Sequence, residues 1–157
     1  MSTKIEQRWS GEIPLTSLYT AGTGGQIFFH ALKAQGKLIG TRCSACQQVY
    51  LPARSFCERC FAELSEQVEV NRKGRLVSYT ICYVDRDGAR LDRPESLGLV
   101  QLEGATTYFL HRLLDASDPG KIKIGCEVEV VIKPKTKRAG SILDIEGFRV
   151  LGWDRKE

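Results

Sequence analysis

The sequence predicts a mainly β protein: an N-terminal helix, a small ribbon built around four cysteines, and a five-stranded barrel. Three observations predict it. Two Cys-x-x-Cys pairs stand ten residues apart between Cys43 and Cys60. One stretch ahead of them, within Thr20 to Gly40, has helical spacing. From Gly74 onward the pattern alternates as strands do.

At 157 residues the chain fits one ordinary domain or two very small ones. Its 42% hydrophobic and 27% charged residues are normal for a soluble globular protein. No apolar run approaches the ~20 residues of a membrane span. Met1 to Gly11 is polar and lacks the apolar stretch of a signal peptide. The expected location is therefore the cytoplasm. Thiols stay reduced there, which argues against reading the six cysteines as a disulfide framework.

Residues 1–40 divide into an arm and a helix. Met1 to Tyr19 is expected to be extended, punctuated by Gly11 and Pro14. The helix is expected to be capped at Thr23 or a neighbour and to stop at Gly36 or Gly40. Ile27, Phe28, Ala31 and Leu32 share one side of it. A helix of this size must pack against something. Packing within the chain and packing on a partner protein both remain open, with Ile27, Phe28, Phe29 and Leu32 as the partner-binding candidates.

Residues 41–66 hold the metal motif, Cys43-Ser-Ala-Cys46 and then Cys57-Glu-Arg-Cys60. Each Cys-x-x-Cys can present two sulfurs to one ion, and two such knuckles complete a tetrahedron. Zinc suits four soft thiolates in that geometry. Iron and a pair of redox dithiols are the rivals. Four protein ligands leave no open position, so the metal is expected to be structural, and no catalytic residue is assigned. The formal charge of +4 falls by two when four thiolates hold zinc. That balance does not imply nucleic acid.

Residues 67–157 read as strands. Val77, Tyr79, Ile81 and Tyr83 alternate with their neighbours across Arg75 to Val84. Leu97 to Leu102 and Thr106 to Leu113 form a pair turned at Glu103-Gly104. Lys121 to Gly125 leads into Glu127 to Ile132, and Ser141 to Val150 closes the set. Five strands with Gly-rich turns suit a small closed barrel such as the OB-fold. Arg86, Asp87, Arg90, Asp92 and Arg93 are expected in a solvated loop. Cys82 and Cys126 read as small apolar side chains, and neither His30 nor His111 is placed beside a cysteine by the sequence. Lys133, Lys135, Lys137 and Arg138 make the most basic stretch, in the turn before the last strand. They are solvated or contact phosphates, of coenzyme A or of nucleic acid.

Several segments together resemble a known family. They are Gly25-Gln-Ile-Phe-Phe-His-Ala-Leu-Lys33, Leu38-Ile-Gly-Thr-Arg-Cys43, Tyr50-Leu-Pro-Ala-Arg54, Phe56-Cys-Glu-Arg-Cys60, Gly74-Arg-Leu-Val-Ser-Tyr79 and Val128-Glu-Val-Val-Ile132. In this order the chain resembles the acyl-CoA-associated zinc-ribbon and OB-fold family, domain of unknown function 35. The likeness runs from about Tyr19 to Val150. It departs at Ala105-Thr-Thr-Tyr108, where smaller residues are expected. The resemblance implies a rubredoxin-like zinc ribbon and an accessory subunit in a hetero-oligomer. The partner would be a thiolase-fold protein that carries the catalytic residues, with acyl-CoA shared between them. The helix and ribbon would dock. The Tyr19 to Gly25 lead-in resembles small subunits of thiolases acting on bulky acyl-CoAs such as benzoylsuccinyl-CoA.

Two other functions compete. A single-stranded nucleic-acid module would stack bases on Tyr79, Tyr83, Tyr108 and Phe109 and use the Lys133 to Arg138 charge. An independent enzyme would need Cys82 or Cys126 as its nucleophile, with a base nearby.

Overall fold

Phe28, Ala31 and Leu32 recur at three- and four-residue spacing, which gives helix α1 (Gly22–Gln35) one apolar stripe. All three are buried. The computed structural model describes residues 11, 16, 19–114 and 122–152. The expected extended arm lies almost wholly outside the described residues.

Thr23 does not cap the helix. The chain has already turned at Gly22, whose φ is 66°, so the N-cap is Ala21 and no side chain bonds there. Gly36 does end it: at φ 68° its N–H reaches back to the Leu32 carbonyl at 3.0 Å. Gly40 is not a stop but lies within β1 (Leu38–Arg42). A Cβ there would collide with the Tyr50 carbonyl, so only glycine lets the two strands approach.

The ribbon sheet has three antiparallel strands in the order β2-β1-β3, with β2 at Val49–Tyr50 and β3 at Glu66–Val70. β3 runs on through Asn71-Arg72 into the barrel. The barrel strands are β4 (Lys73–Val84), β5 (Arg90–Leu102), β6 (Tyr108–Leu114), β7 (Glu127–Ile132) and β8 (Ile145–Val150). They close in the order β4-β5-β6-β8-β7, and β7 pairs back onto β4. The β6–β8 pair is parallel and the rest are antiparallel. This is the five-stranded barrel with OB-fold topology that the alternation predicts.

Three boundaries differ from expectation. Arg90, Asp92 and Arg93 belong to β5, not to a loop. The Asp85 carboxylate accepts the Asp87 and Ala89 N–H groups, both at 2.9 Å, and folds the connection into a tight turn. Ser141 to Asp144 is a capped 3-10 turn, so the last strand starts at Ile145. Thr106 and Thr107 precede β6 and serve another purpose, described below.

One core spans helix, ribbon and barrel. Phe28, Leu32, Leu38, Val49, Leu51 and Val70 cluster with Leu76, Val100, Leu102, Phe109, Val128 and Phe148. The helix therefore packs within the chain. Phe28 and Leu32 are fully buried, which corrects their assignment to a partner-binding face. Burying one such side chain contributes about 1.5–3 kcal/mol.

Asp144 pins the basic segment. It is buried, and its carboxylate accepts the N–H groups of Ala139 (2.8 Å), Gly140 (2.7 Å) and Ser141 (3.4 Å). Burial alone would raise its pKa. The three N–H bonds outweigh it and hold the carboxyl below the usual range. A depressed folded-state pKa stabilises the fold above the unfolded value of about 3.9, and that stability is lost as pH falls through the lower folded value. Asp144→Asn should cost about 1–3 kcal/mol at pH 7. Urea unfolding should show the gap from the parent shrinking below about pH 4.

Candidate metal centre

The two Cys-x-x-Cys segments fold as near copies of each other. The Cys43 N–H donates to the Gln48 carbonyl (2.8 Å), and the Gln47 N–H to the Cys43 carbonyl (2.8 Å). Fourteen residues on, the Cys57 N–H donates to Ala62 and the Phe61 N–H to Cys57, both at 2.9 Å. Each knuckle closes through a residue in the left-handed region, Gln47 at φ 60° and Phe61 at φ 61°. An isolated bridge between Phe56 and Glu63 flanks the second.

These turns bring all four Sγ atoms within 4.8 Å of one another. The Cys43–Cys60, Cys46–Cys57 and Cys46–Cys60 separations are 3.4, 3.5 and 3.8 Å. A zinc tetrahedron with bonds of about 2.3 Å has sulfur–sulfur edges of about 3.8 Å. The donor set fits zinc, and Cys43, Cys46, Cys57 and Cys60 would hold it. With four thiolate ligands its role is structural, because no position remains for water or substrate.

Surrounding groups prepare the sulfurs. The buried Tyr50 hydroxyl donates to Cys57 Sγ at 3.2 Å. That bond pulls the Cys57 thiol down to about 6 and pushes Tyr50 up to about 12. The Ala62 amide favours the Cys60 thiolate, but the neighbouring Cys43 and Cys57 outweigh it and push Cys60 up to about 12. Four crowded thiols thus cannot all ionise until a dication compensates them, so zinc binding displaces protons. The Arg54 guanidinium lies 5.2 Å from the Tyr50 ring centroid and pairs with Glu58. The buried Thr41 hydroxyl accepts the Arg54 N–H (2.9 Å) and donates to its carbonyl (3.0 Å). The Tyr50 hydroxyl contact escapes a motif search, because only the fold brings it to Cys57 Sγ.

Known proteins share this arrangement. The ChsH2 rubredoxin-like zinc ribbon domain family matches residues 30–65, and the ChsH2 C-terminal OB-fold domain family matches residues 67–133. A DUF35 domain-containing scaffold protein of Pyrococcus furiosus is 30% identical over 106 residues, 68% of this chain and 76% of that protein. This chain belongs to the DUF35 family. Benzoylsuccinyl-CoA thiolase subunit BbsA of Thauera aromatica is 31% identical to this DUF35 chain over 103 residues, 60% of this chain and 62% of BbsA. The solved Ltp2-ChsH2(DUF35) aldolase superposes with a TM-score of 0.57 at 25% identity, covering 79% of this chain and 91% of that one.

The Ala105 to Tyr108 segment has a structural use. The Thr106 hydroxyl accepts the Val49 N–H (2.9 Å) and donates to its carbonyl (3.0 Å). Thr107 does the same to Leu51, at 2.9 and 3.2 Å. Two adjacent threonines thereby stitch the ribbon to the barrel, a contact between residues more than fifty positions apart.

The other candidate residues of this DUF35 protein are dispersed. Ile27 and Phe29 are half-buried and line an open groove of about 910 Å³ with Gln26, His30, Gln67 and Gly140. Lys135 and Lys137 are exposed, and Lys133 and Arg138 are half-buried. Arg138 is committed to the backbone: its Nε donates to the Lys133 carbonyl at 2.7 Å, and its guanidinium lies against Gly36. Of the aromatics considered for base stacking, Phe109 is buried in the core and Tyr79 packs against it. Only Tyr83 and Tyr108 are exposed. His111 sits between Phe109 and Phe148. Burial first, then Arg112, lowers its pKa, and its Nδ1 is buried without a hydrogen-bond partner among the described residues. Cys126 is pushed up by burial, the opposite of an activated nucleophile. Among the described residues no helix is long and apolar enough to cross a membrane.

Proposed function

We propose that this protein is a non-catalytic accessory subunit of a thiolase-type acyltransferase complex. It holds a thiolase-fold partner that carries the catalytic residues, and the complex cleaves a β-oxoacyl-CoA such as benzoylsuccinyl-CoA. The observation that carries this reading is the 31% identity to the thiolase subunit BbsA over 103 residues, together with a complete four-cysteine set. A closed zinc site supports a fold that binds rather than one that turns over substrate.

Ile27 and Phe29, on the open side of α1, are the helix residues left to meet a partner once Phe28 and Leu32 are assigned to the core. Lys133, Lys135 and Lys137 offer cations to the phosphates of a shared coenzyme A, and Arg138 sets the backbone that carries them. The cytoplasm is the compartment in which such a thiolate site and its acyl-CoA would coexist.

An affinity pull-down of the tagged full chain from its native host tests the proposal. The expected result is a thiolase-fold protein recovered at near-stoichiometric ratio. Recovery of single-stranded nucleic acid, or of no stable partner, overturns it.

A further inference from the structure

We infer that the four-cysteine centre is a redox-sensitive latch: a hydroperoxide oxidises Cys60 first, Cys43 resolves it, and the disulfide formed between the two knuckles releases the metal. This behaviour belongs to the chain's own sulfurs and does not depend on which partner it serves.

The four sulfurs are not equivalent. Cys43 and Cys57 are fully buried, and Cys46 is half-buried. Cys60 alone among the four is exposed. Glu58, Arg59 and Phe61 beside it are exposed as well, so its own turn does not shield it. All four are thiolates when they hold zinc, and access then decides which one a small oxidant reaches. The sulfur that resolves the oxidised Cys60 is chosen by position. Cys43 Sγ lies 3.4 Å from Cys60 Sγ, the shortest of the three close separations, all of which run between the knuckles. A disulfide needs about 2.05 Å, so a movement of about 1–1.5 Å joins the two. Cys57, the other cysteine of the same knuckle, accepts the Tyr50 hydroxyl at 3.2 Å. That hydrogen bond draws on the sulfur's electrons and blunts it as a nucleophile.

In the first step the Cys60 thiolate attacks the outer peroxide oxygen. An S–O bond forms, the O–O bond breaks, and the departing alkoxide or hydroxide takes a proton from water. The Cys43 thiolate then attacks the Cys60 sulfenic sulfur. The S–S bond forms, the S–O bond breaks, and the hydroxide that leaves is protonated to water. Two electrons pass from the two thiolates to the peroxide. Cys46 and Cys57 remain as ligands, too few for a closed tetrahedron. The ribbon has only Cys43, Tyr50, Cys57 and Leu64 as its own buried cluster, so its order goes with the metal. A thiol reductant and fresh zinc reverse the change.

The test is a hydrogen peroxide titration of the zinc-loaded full chain. Released zinc is read with a metallochromic dye, and disulfides are mapped by peptide mass spectrometry. We expect bound zinc to be lost in step with a Cys43–Cys60 disulfide, one ion per disulfide, and regained with a thiol reductant and added zinc. Substoichiometric iodoacetamide on the same zinc-loaded chain should alkylate Cys60 ahead of the other three ligands. Zinc retained in excess peroxide, a first disulfide joining any other pair, or alkylation that begins at Cys43, Cys46 or Cys57 overturns the inference.

Discussion

Cys57→Ser is expected to release the metal and unfold the ribbon. The ribbon's own cluster of buried residues is only Cys43, Tyr50, Cys57 and Leu64. Zinc contributes about 10–16 kcal/mol of apparent folding free energy to comparable small sites, far more than four side chains can replace. Cys57 is the ligand with the most to lose, because the Tyr50 hydroxyl is aimed at it and would be left beside a poor metal ligand. Zinc analysis should fall from one ion per chain to none. Hydrogen exchange should show the Cys43 and Cys57 amides losing protection, while Val100 and Val128 in the barrel exchange more slowly. Acid should mimic the substitution, since falling pH returns protons to the thiolates and expels the ion. Stoichiometric zinc retained by Cys57→Ser would show that three ligands suffice and that the closed four-thiolate site is misassigned.

The second large effect is expected from Phe28→Ala. Phe28 is fully buried, with the Phe29 ring at 5.3 Å and the Phe109 ring at 6.4 Å. It belongs to the helix but fills the core that ribbon and barrel share. Truncating a buried phenylalanine costs about 3–5 kcal/mol, from lost burial and from the cavity left behind. Total stability of such a domain is about 5–15 kcal/mol, so the variant should be marginal near 37 °C. Half-buried Phe29 should cost well under half as much when truncated, since less of its surface leaves water. Denaturant unfolding of both variants measures the contrast. Equal losses would mean that the helix does not dock by the face assigned to it.

These two residues also show where the sequence stops speaking. Phe28 and Phe29 are adjacent and chemically identical, and both fall near the apolar side of α1. Which one turns inward depends on the surface beneath, and that surface includes the Phe109 ring, remote in sequence. The knuckles were legible because two-residue gaps alone bring the sulfurs together. The barrel strands were legible because alternation has a period of two and survives without tertiary context. Thr106 and Thr107 were not, because a hydroxyl that pairs with a strand more than fifty residues away leaves no local trace. Nor was the length of the β4–β5 hairpin, since one Asp85 turn moved Arg90, Asp92 and Arg93 from loop to strand.

The most direct test of the account is thiolytic cleavage of a β-oxoacyl-CoA, assayed with this chain alone, with the thiolase-fold subunit alone, and with both together. No turnover is expected from this chain alone, and full turnover only from the complex. Turnover by the isolated chain, or a thiolase-fold subunit whose activity and assembly are indifferent to it, would contradict the accessory-subunit claim.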